Sequence, residues 1–194
     1  MKQSATRDRL IQAGMALIAE HGYNATGINT VLKAAAVPKG SFYHYFSSKE
    51  DFGLAVIDAT AEGYTARLEA MLADSDVPAL QRLQHYFAAG RADMVDCDHA
   101  RGCLIGNLGQ ELSGHSARFR DRLDQVLSGW ERLLADCLRD GQTRSEIRTD
   151  LDPDALASFI LSGWEGALIR AKTVKSVAPL ERFETVLLDC LRPS

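Results

Sequence analysis

Val37-Pro38-Lys39-Gly40-Ser41-Phe42-Tyr43-His44-Tyr45-Phe46-Ser47-Ser48-Lys49-Glu50-Asp51-Phe52 decides how the rest of the chain is read. Proline suits the first turn of a helix, where its missing N–H is not needed, so the spacing predicts a short helix over Lys39–Phe46. Phe42 and Phe46, four apart, share one face and are expected to pack on the first helix. The other face presents Lys39, Ser41, Tyr43, His44 and Tyr45, which can donate to phosphates or base edges, and Gly40 lets backbone approach a nucleic acid closely. A second short helix follows Thr26 and carries Ile28, Val31, Leu32 and Ala35. Only Ala36 to Pro38 separate the two. Two short helices at so tight a turn form a helix-turn-helix, which sets its second helix into a major groove. Thr26 and Lys49 lie at the starts of the flanking helices, where N–H groups and the dipole favour a phosphate.

Outward from this stretch the chain reads as helix throughout. Towards the N-terminus, about Thr6 to His21 carries the stripe Leu10, Ala13, Leu17 and Ile18, with Gly22 as the C-terminal cap. Ser47 and Glu50 spell a capping box that opens a long helix to Ala73. Further helices are expected over Pro78–Asp96, Arg101–Leu112 and His115–Asp140. Asp152-Pro153, a cap followed by proline, starts one that runs to about Lys172, and a last helix spans Pro179–Leu191. The expectation is an all-α chain of about nine helices. It divides into a helix-turn-helix DNA-binding domain, 1–50, and a sensing and dimerisation domain, 51–194.

The chain has 194 residues, 46 % hydrophobic and 25 % charged, which excludes a disordered or collagen-like chain. No stretch approaches the roughly 18 apolar residues of a membrane span, and the polar start MKQSATRDRL lacks the apolar core of a secretory signal. A cytoplasmic protein without a membrane partner is expected. The four cysteines, Cys97, Cys103, Cys137 and Cys190, form no CxxC pair and no zinc-ligand spacing. They are expected as free thiols, most of them buried, with no metal and no cofactor. Net charge is −4, yet residues 1–52 hold six basic side chains (Lys2, Arg7, Arg9, Lys33, Lys39, Lys49) and four acidic ones (Asp8, Glu20, Glu50, Asp51). A head of +2 on a body of −6 hints at two tasks.

VPKGSFYHYFSSKEDF resembles the third-helix signature of the TetR family of one-component bacterial repressors, and residues 5–52 fit that family's head. The resemblance implies a homodimeric DNA-binding transcriptional repressor on a double-stranded palindromic operator. It implies DNA contacts from Thr26, Lys39, Gly40, Ser41, Tyr43, His44, Tyr45 and Lys49. The chain departs from the family at Ala36, where glycine is usual. If that turn needs a positive φ, alanine there costs on the order of 1 kcal/mol. It also departs at Gly27, which replaces a common second threonine.

The body must dimerise and sense. Ala155 to Ala171 is apolar almost all round, so that helix must be buried on two sides. The last two helices are therefore the expected homodimer interface, with Gly163, Gly166 and Ala167 allowing close approach. In Arg101-Gly102-Cys103-Leu104-Ile105-Gly106-Asn107-Leu108-Gly109-Gln110-Glu111, Cys103, Asn107 and Gln110 share a stripe. Cys103 falls near a helix N-terminus beside Arg101, and both favour a thiolate. RGCLIGNLGQE, with GWEGALIRAK at 163–172, resembles the TetR branch that answers reactive electrophiles or unsaturated acids, including regulators of N-ethylmaleimide reductase and acrylate-handling genes. That resemblance implies Cys103 as the sensing thiol and Lys172 as a cation for a thiolate or a ligand carboxylate. Trp164, Leu168 and Lys172 share a face and can form a pocket wall. A noncovalent small-molecule inducer held by Lys172 or Arg170 stays open as an alternative. So do a thiol enzyme using Cys103 with His99 or His115, and an interaction module. No nucleophile elbow, phosphate loop or metal spacing supports an enzyme.

Overall fold

The computed structural model describes residues 2–193, with side chains from Ala5 onward. The Lys2 side chain counted in the basic head, and the chain ends Met1 and Ser194, lie outside the described residues. Among the described residues there are eight α-helices, one 3₁₀ turn and no strand. The helices are α1 (Lys2–His21), α2 (Ile28–Ala34), α3 (Lys49–Leu72), α4 (Ala79–Asp96), α5 (Leu104–Leu112), α6 (Ala117–Thr143), α7 (Pro153–Val174) and α8 (Ala178–Leu191), with the 3₁₀ turn at Phe42–His44. None is long and apolar enough to cross a membrane.

The chain forms two compact units. One takes the chain up to Gly63 together with Leu104–Asp124. The other takes Tyr64–Cys103 and everything from Gln125 on. The first unit buries Leu10, Ile18, Val31, Leu32, Phe42, Phe46, Phe52 and Phe119. Phe42, Phe46 and Phe52 meet with ring centroids 5.1–5.5 Å apart, edge-on and tilted arrangements that aromatic pairs favour. Gly22 ends α1 at φ +82°, with its N–H on Ile18 O at 2.9 Å, as its place after the helical stripe predicts.

The second unit buries Leu83, Tyr86 and Phe87 of α4, Trp130 and Leu138 of α6, and one side of α7 and α8. Asp152 caps α7: its side chain accepts from the N–H groups of Asp154 and Ala155 at 2.9 Å, with Pro153 at the first position. Arg82, 2 % exposed, donates to Leu72 O at 2.7 Å and pairs with Asp140, so its buried charge is matched.

Three local expectations are corrected. The helix expected over Lys39–Phe46 is a turn at Pro38–Gly40 followed by the 3₁₀ turn Phe42–His44. Its backbone bonds run mostly three residues back, as in His44 N to Ser41 O and Tyr45 N to Phe42 O. Pro38 and Gly40 within one turn of each other leave too short a stretch to propagate an α-helix. The Ser47–Glu50 capping box does not form. Ser48 caps α3 instead, its hydroxyl accepting from Asp51 N at 3.0 Å, while Ser47 bonds the Asp51 carboxylate. Glu50 is drawn away to Ser116 and Arg118 at 2.6 and 2.8 Å. The third concerns the thiols: Cys137 alone is fully buried, Cys97 and Cys103 are half-buried and Cys190 is exposed. Cys190 falls on the outer side of α8, between the buried positions Leu187 and Leu191.

Candidate nucleic-acid interface and sensor site

The turn between α2 and the 3₁₀ turn is set by Ala36, whose φ is +51°. The residue that departs from the family pattern thus sits in the left-handed region that glycine adopts without penalty. Beyond it, Lys39, Gly40, Tyr43 and His44 are exposed, while Ser41 and Tyr45 are half-buried. Tyr43 is 69 % exposed although it stands beside the buried Phe42, their rings edge-on at 5.4 Å. The apolar face is turned inward and a hydroxyl-bearing face outward, as the four-residue spacing of Phe42 and Phe46 predicts. The Arg7 guanidinium of α1 lies over the Phe46 ring at 5.3 Å.

Thr26 and Lys49 are placed differently. Thr26 is 3 % exposed, and its hydroxyl donates to Gly22 O at 2.6 Å. Lys49 Nζ donates to Tyr23 O at 2.9 Å and Asn24 O at 3.4 Å and stands 4.5 Å over the Tyr23 ring. Burial lowers its pKa. Both side chains tie down the backbone between α1 and α2. Glu111 of α5, which sequence reasoning did not single out, completes the tie. Its two oxygens accept from Tyr23 N at 2.9 Å and Asn24 N at 2.7 Å. Burial, with help from Glu50 and Glu111, pushes the Tyr23 hydroxyl up to about 12, so it stays a neutral donor.

In the second unit, Cys103 lies immediately before α5 at the end of a loop in which Asp98 and His99 both have positive φ, +50° and +55°. Lys175 Nζ donates to both their carbonyls at 3.3 and 3.4 Å. Consecutive left-handed residues cost on the order of 1 kcal/mol each and gather where a segment is held for a purpose. The Cys103 thiol donates a hydrogen bond to the Glu165 carboxylate of α7, whose pKa burial raises and that bond partly lowers. Tyr64 and Tyr86 are hydrogen-bonded to each other and sense the charges of both Cys103 and Glu165. Burial raises both phenols. Glu165 was missed by sequence reasoning, although it stands seven residues before Lys172 and so on the same helical face.

The remaining predicted sensor residues differ in their surroundings. Lys172 is half-buried, and a Cβ added at Gly102 would stand 3.2 Å from its Cδ, so glycine makes room for the lysine stem beside Cys103. Trp164 is 2 % exposed and stands among Tyr86, Phe87 and Phe183 at 4.9–6.0 Å. Arg170 is exposed and donates to Thr173 Oγ1 at 3.4 Å. Two residues from Lys172, it faces nearly the opposite side of α7. Asn107 is half-buried on α5, in the first unit. Burial pushes the Cys137 thiol up to about 11, which leaves it unreactive.

The pattern of bacterial regulatory proteins of the tetR family matches residues 10–56. That of the tetracyclin repressor-like C-terminal domain matches residues 79–187. The chain belongs to the TetR family. It is 42 % identical to the transcriptional regulator AcuR of Cereibacter sphaeroides over 93 % of its own length and 82 % of that protein's. It is 37 % identical to the HTH-type transcriptional repressor DhaR of a Mycobacterium species, over 100 % and 96 %. Among solved structures, the reduced form of E. coli NemR superposes with a TM-score of 0.88 at 30 % identity, covering 98 % of this chain and 100 % of that one. The relatives named are transcriptional regulators, and the chain is a TetR-type transcriptional repressor.

α7 and α8 of this TetR-family chain carry an apolar surface that no element of the second unit covers. Phe159 is 61 % exposed and Val186 64 %. Phe159, Ser162, Gly166 and Ile169 recur along one outward stripe of α7, all at least partly open to solvent. The two glycines expected to permit close approach divide the work. Gly163 accommodates Phe183 of α8, 2.4 Å from where a Cβ would stand, while nothing lies within 4 Å of Gly166.

Proposed function

We propose that this repressor binds a palindromic operator as a homodimer and is released when a small electrophile or unsaturated acid engages Cys103. In this reading residues 1–50 form the DNA-binding domain, and 51–194 the sensing and dimerisation domain of a cytoplasmic protein. Lys39, Gly40, Ser41, Tyr43, His44 and Tyr45 meet the DNA. Thr26 and Lys49 act there by holding the α1–α2 turn, their polar atoms being directed to its carbonyls. The carrying observation is Tyr43, a large aromatic held outward at 69 % exposure from a buried aromatic cluster. Held there, its ring and hydroxyl are offered to a phosphate or a base edge rather than to the core.

Support for Cys103 as the sensing thiol comes from its half-buried place, its ionisable neighbours and the strained loop that delivers it. A relative solved in a form called reduced agrees with a thiol whose state matters. Release requires that the modified or occupied protein favour the state that does not bind DNA, and a 100-fold effect needs about 2.7 kcal/mol of coupling. The dimer is assigned to the outward faces of α7 and α8. Phe159→Asp is expected to give monomers by light scattering without lowering protomer stability, because Phe159 is already exposed; an unchanged dimer removes this assignment.

The test of the whole reading is fluorescence anisotropy with DNA from upstream of the protein's own gene, before and after N-ethylmaleimide or acrylate. Wild type is expected to bind and then release. Cys103→Ser is expected to bind equally and stay bound. Normal release by Cys103→Ser would move the sensor to another cysteine or to a noncovalent site.

A further inference from the structure

The second unit brings four ionisable side chains together from four separate stretches of sequence: Tyr64, Tyr86, Cys103 and Glu165. Lys172 flanks them at Gly102, and Arg67, paired with Asp93 at 2.6 Å, neighbours Tyr64. Activation of a cysteine by nearby positive charge alone does not describe this site. A carboxylate within hydrogen-bond reach of a thiol opposes the thiolate electrostatically, yet it is also placed to take the thiol's proton.

We infer that Glu165 is the proton acceptor for Cys103 when the thiol adds to an activated alkene. This rests on the reading of Cys103 as the sensing thiol. The Sγ–H proton moves to the Glu165 carboxylate as the Sγ–C bond forms at the β-carbon. The C=C π pair moves to the α-carbon, which takes that proton back from the Glu165 carboxyl. One thioether and one C–H bond replace one S–H and one C=C π bond, with no electron gained or lost. Three features of the site serve this step. Cys103 is half-buried, so a small molecule reaches it. The hydrogen bond aims the proton at its acceptor before the alkene arrives. Burial makes the acceptor a stronger base than an ordinary carboxylate, and the two phenols stay neutral beside it.

The sign of one substitution separates proton transfer from simple repulsion. Acrylamide, a neutral alkene, is added to full-length wild type, Glu165→Gln and Glu165→Asp between pH 6 and 9.5. Alkylation of each cysteine is followed by peptide mass spectrometry, with thermal melts in parallel. Loss of the base is expected to slow Cys103 at least about tenfold at pH 6–7. The gap should close above the ordinary thiol pKa of about 8.5, where solvent hydroxide removes the proton. Glu165→Asp should recover part of the rate. Equal or faster alkylation of Cys103 in Glu165→Gln overturns the inference, because the carboxylate then only repels the thiolate. A slowdown of the same size at every pH overturns it in favour of a structural role, as does wild-type Cys103 that never reacts. Operator release is read separately. If Glu165→Gln slows alkylation as stated while alkylated wild type still holds DNA, Glu165 keeps its role and the sensor reading falls.

Discussion

The turn that presents Tyr43 and the cluster around Cys103 are built on opposite plans. In the head, charged and polar side chains are spent on backbone groups. Thr26 bonds a carbonyl of Gly22, Lys49 the carbonyls of Tyr23 and Asn24, and Glu111 their N–H groups. Backbone partners do not react with electrophiles or oxidants, so the ties on them do not depend on the state of a thiol. Around Cys103 the partners are themselves ionisable: thiol with carboxylate, phenol with phenol. Altering one changes what its neighbours experience. On the proposed function, the first plan suits a surface that reads one DNA shape and the second a group that answers a chemical signal.

The largest effect should come from breaking the support of the head. Phe42→Ala removes a ring that is 1 % exposed and contacts Phe46 and Phe52. It is expected to cost about 3–5 kcal/mol, read by denaturant unfolding with a head-specific probe. A cost below 1 kcal/mol would mean the cluster is not the head's foundation. Next, Glu111→Ala strands two backbone N–H groups and is expected to cost about 1–3 kcal/mol. Hydrogen exchange of the Tyr23 and Asn24 amides should speed up first; unchanged protection there would show that the clamp carries no load.

How much of this was legible beforehand follows the range of the interactions. The Asp152 cap, the Gly22 stop and the inward pair Phe42 and Phe46 depend on residues within one turn, and the sequence pattern contained them. The condition posed at Ala36, a positive φ, is met, though it was raised by the family resemblance and not by the local pattern. The α-helix expected over Lys39–Phe46 fails because one buried aromatic face does not offset proline and glycine in so short a segment. The Ser47–Glu50 box fails because Glu50 is captured by Ser116 and Arg118, 66 and 68 residues away. Glu111 and Glu165 were missed for the same reason: a carboxylate on a helix carries no local mark of a partner brought to it by tertiary folding.

Two smaller effects sharpen the contrast. Ala36→Gly relieves a left-handed alanine and is expected to stabilise the head by about 1 kcal/mol, less what the freer unfolded chain takes back; a destabilised variant would mean the turn tolerates alanine without strain. Last comes acid. Hydrogen bonds from Ser116 and Arg118 hold the Glu50 carboxyl below its usual range. Its folded pKa is therefore below its unfolded one. The tie contributes in full above the ordinary carboxylate range and is lost as pH falls through the folded value. Glu50→Gln should make the acid limb of a stability–pH curve shallower; an identical limb would show that the tie contributes nothing.

The central claim is that an outward aromatic and basic surface at Lys39–Tyr45 reads duplex DNA. The most direct measurement is the affinity of wild type and Tyr43→Ala for the upstream DNA over a series of salt concentrations. Wild type is predicted to bind with an affinity that falls steeply as salt rises. Tyr43→Ala should bind about tenfold or more weakly while unfolding within about 0.5 kcal/mol of wild type. Equal affinity of the two proteins, or no binding by wild type even at low salt, would contradict the account.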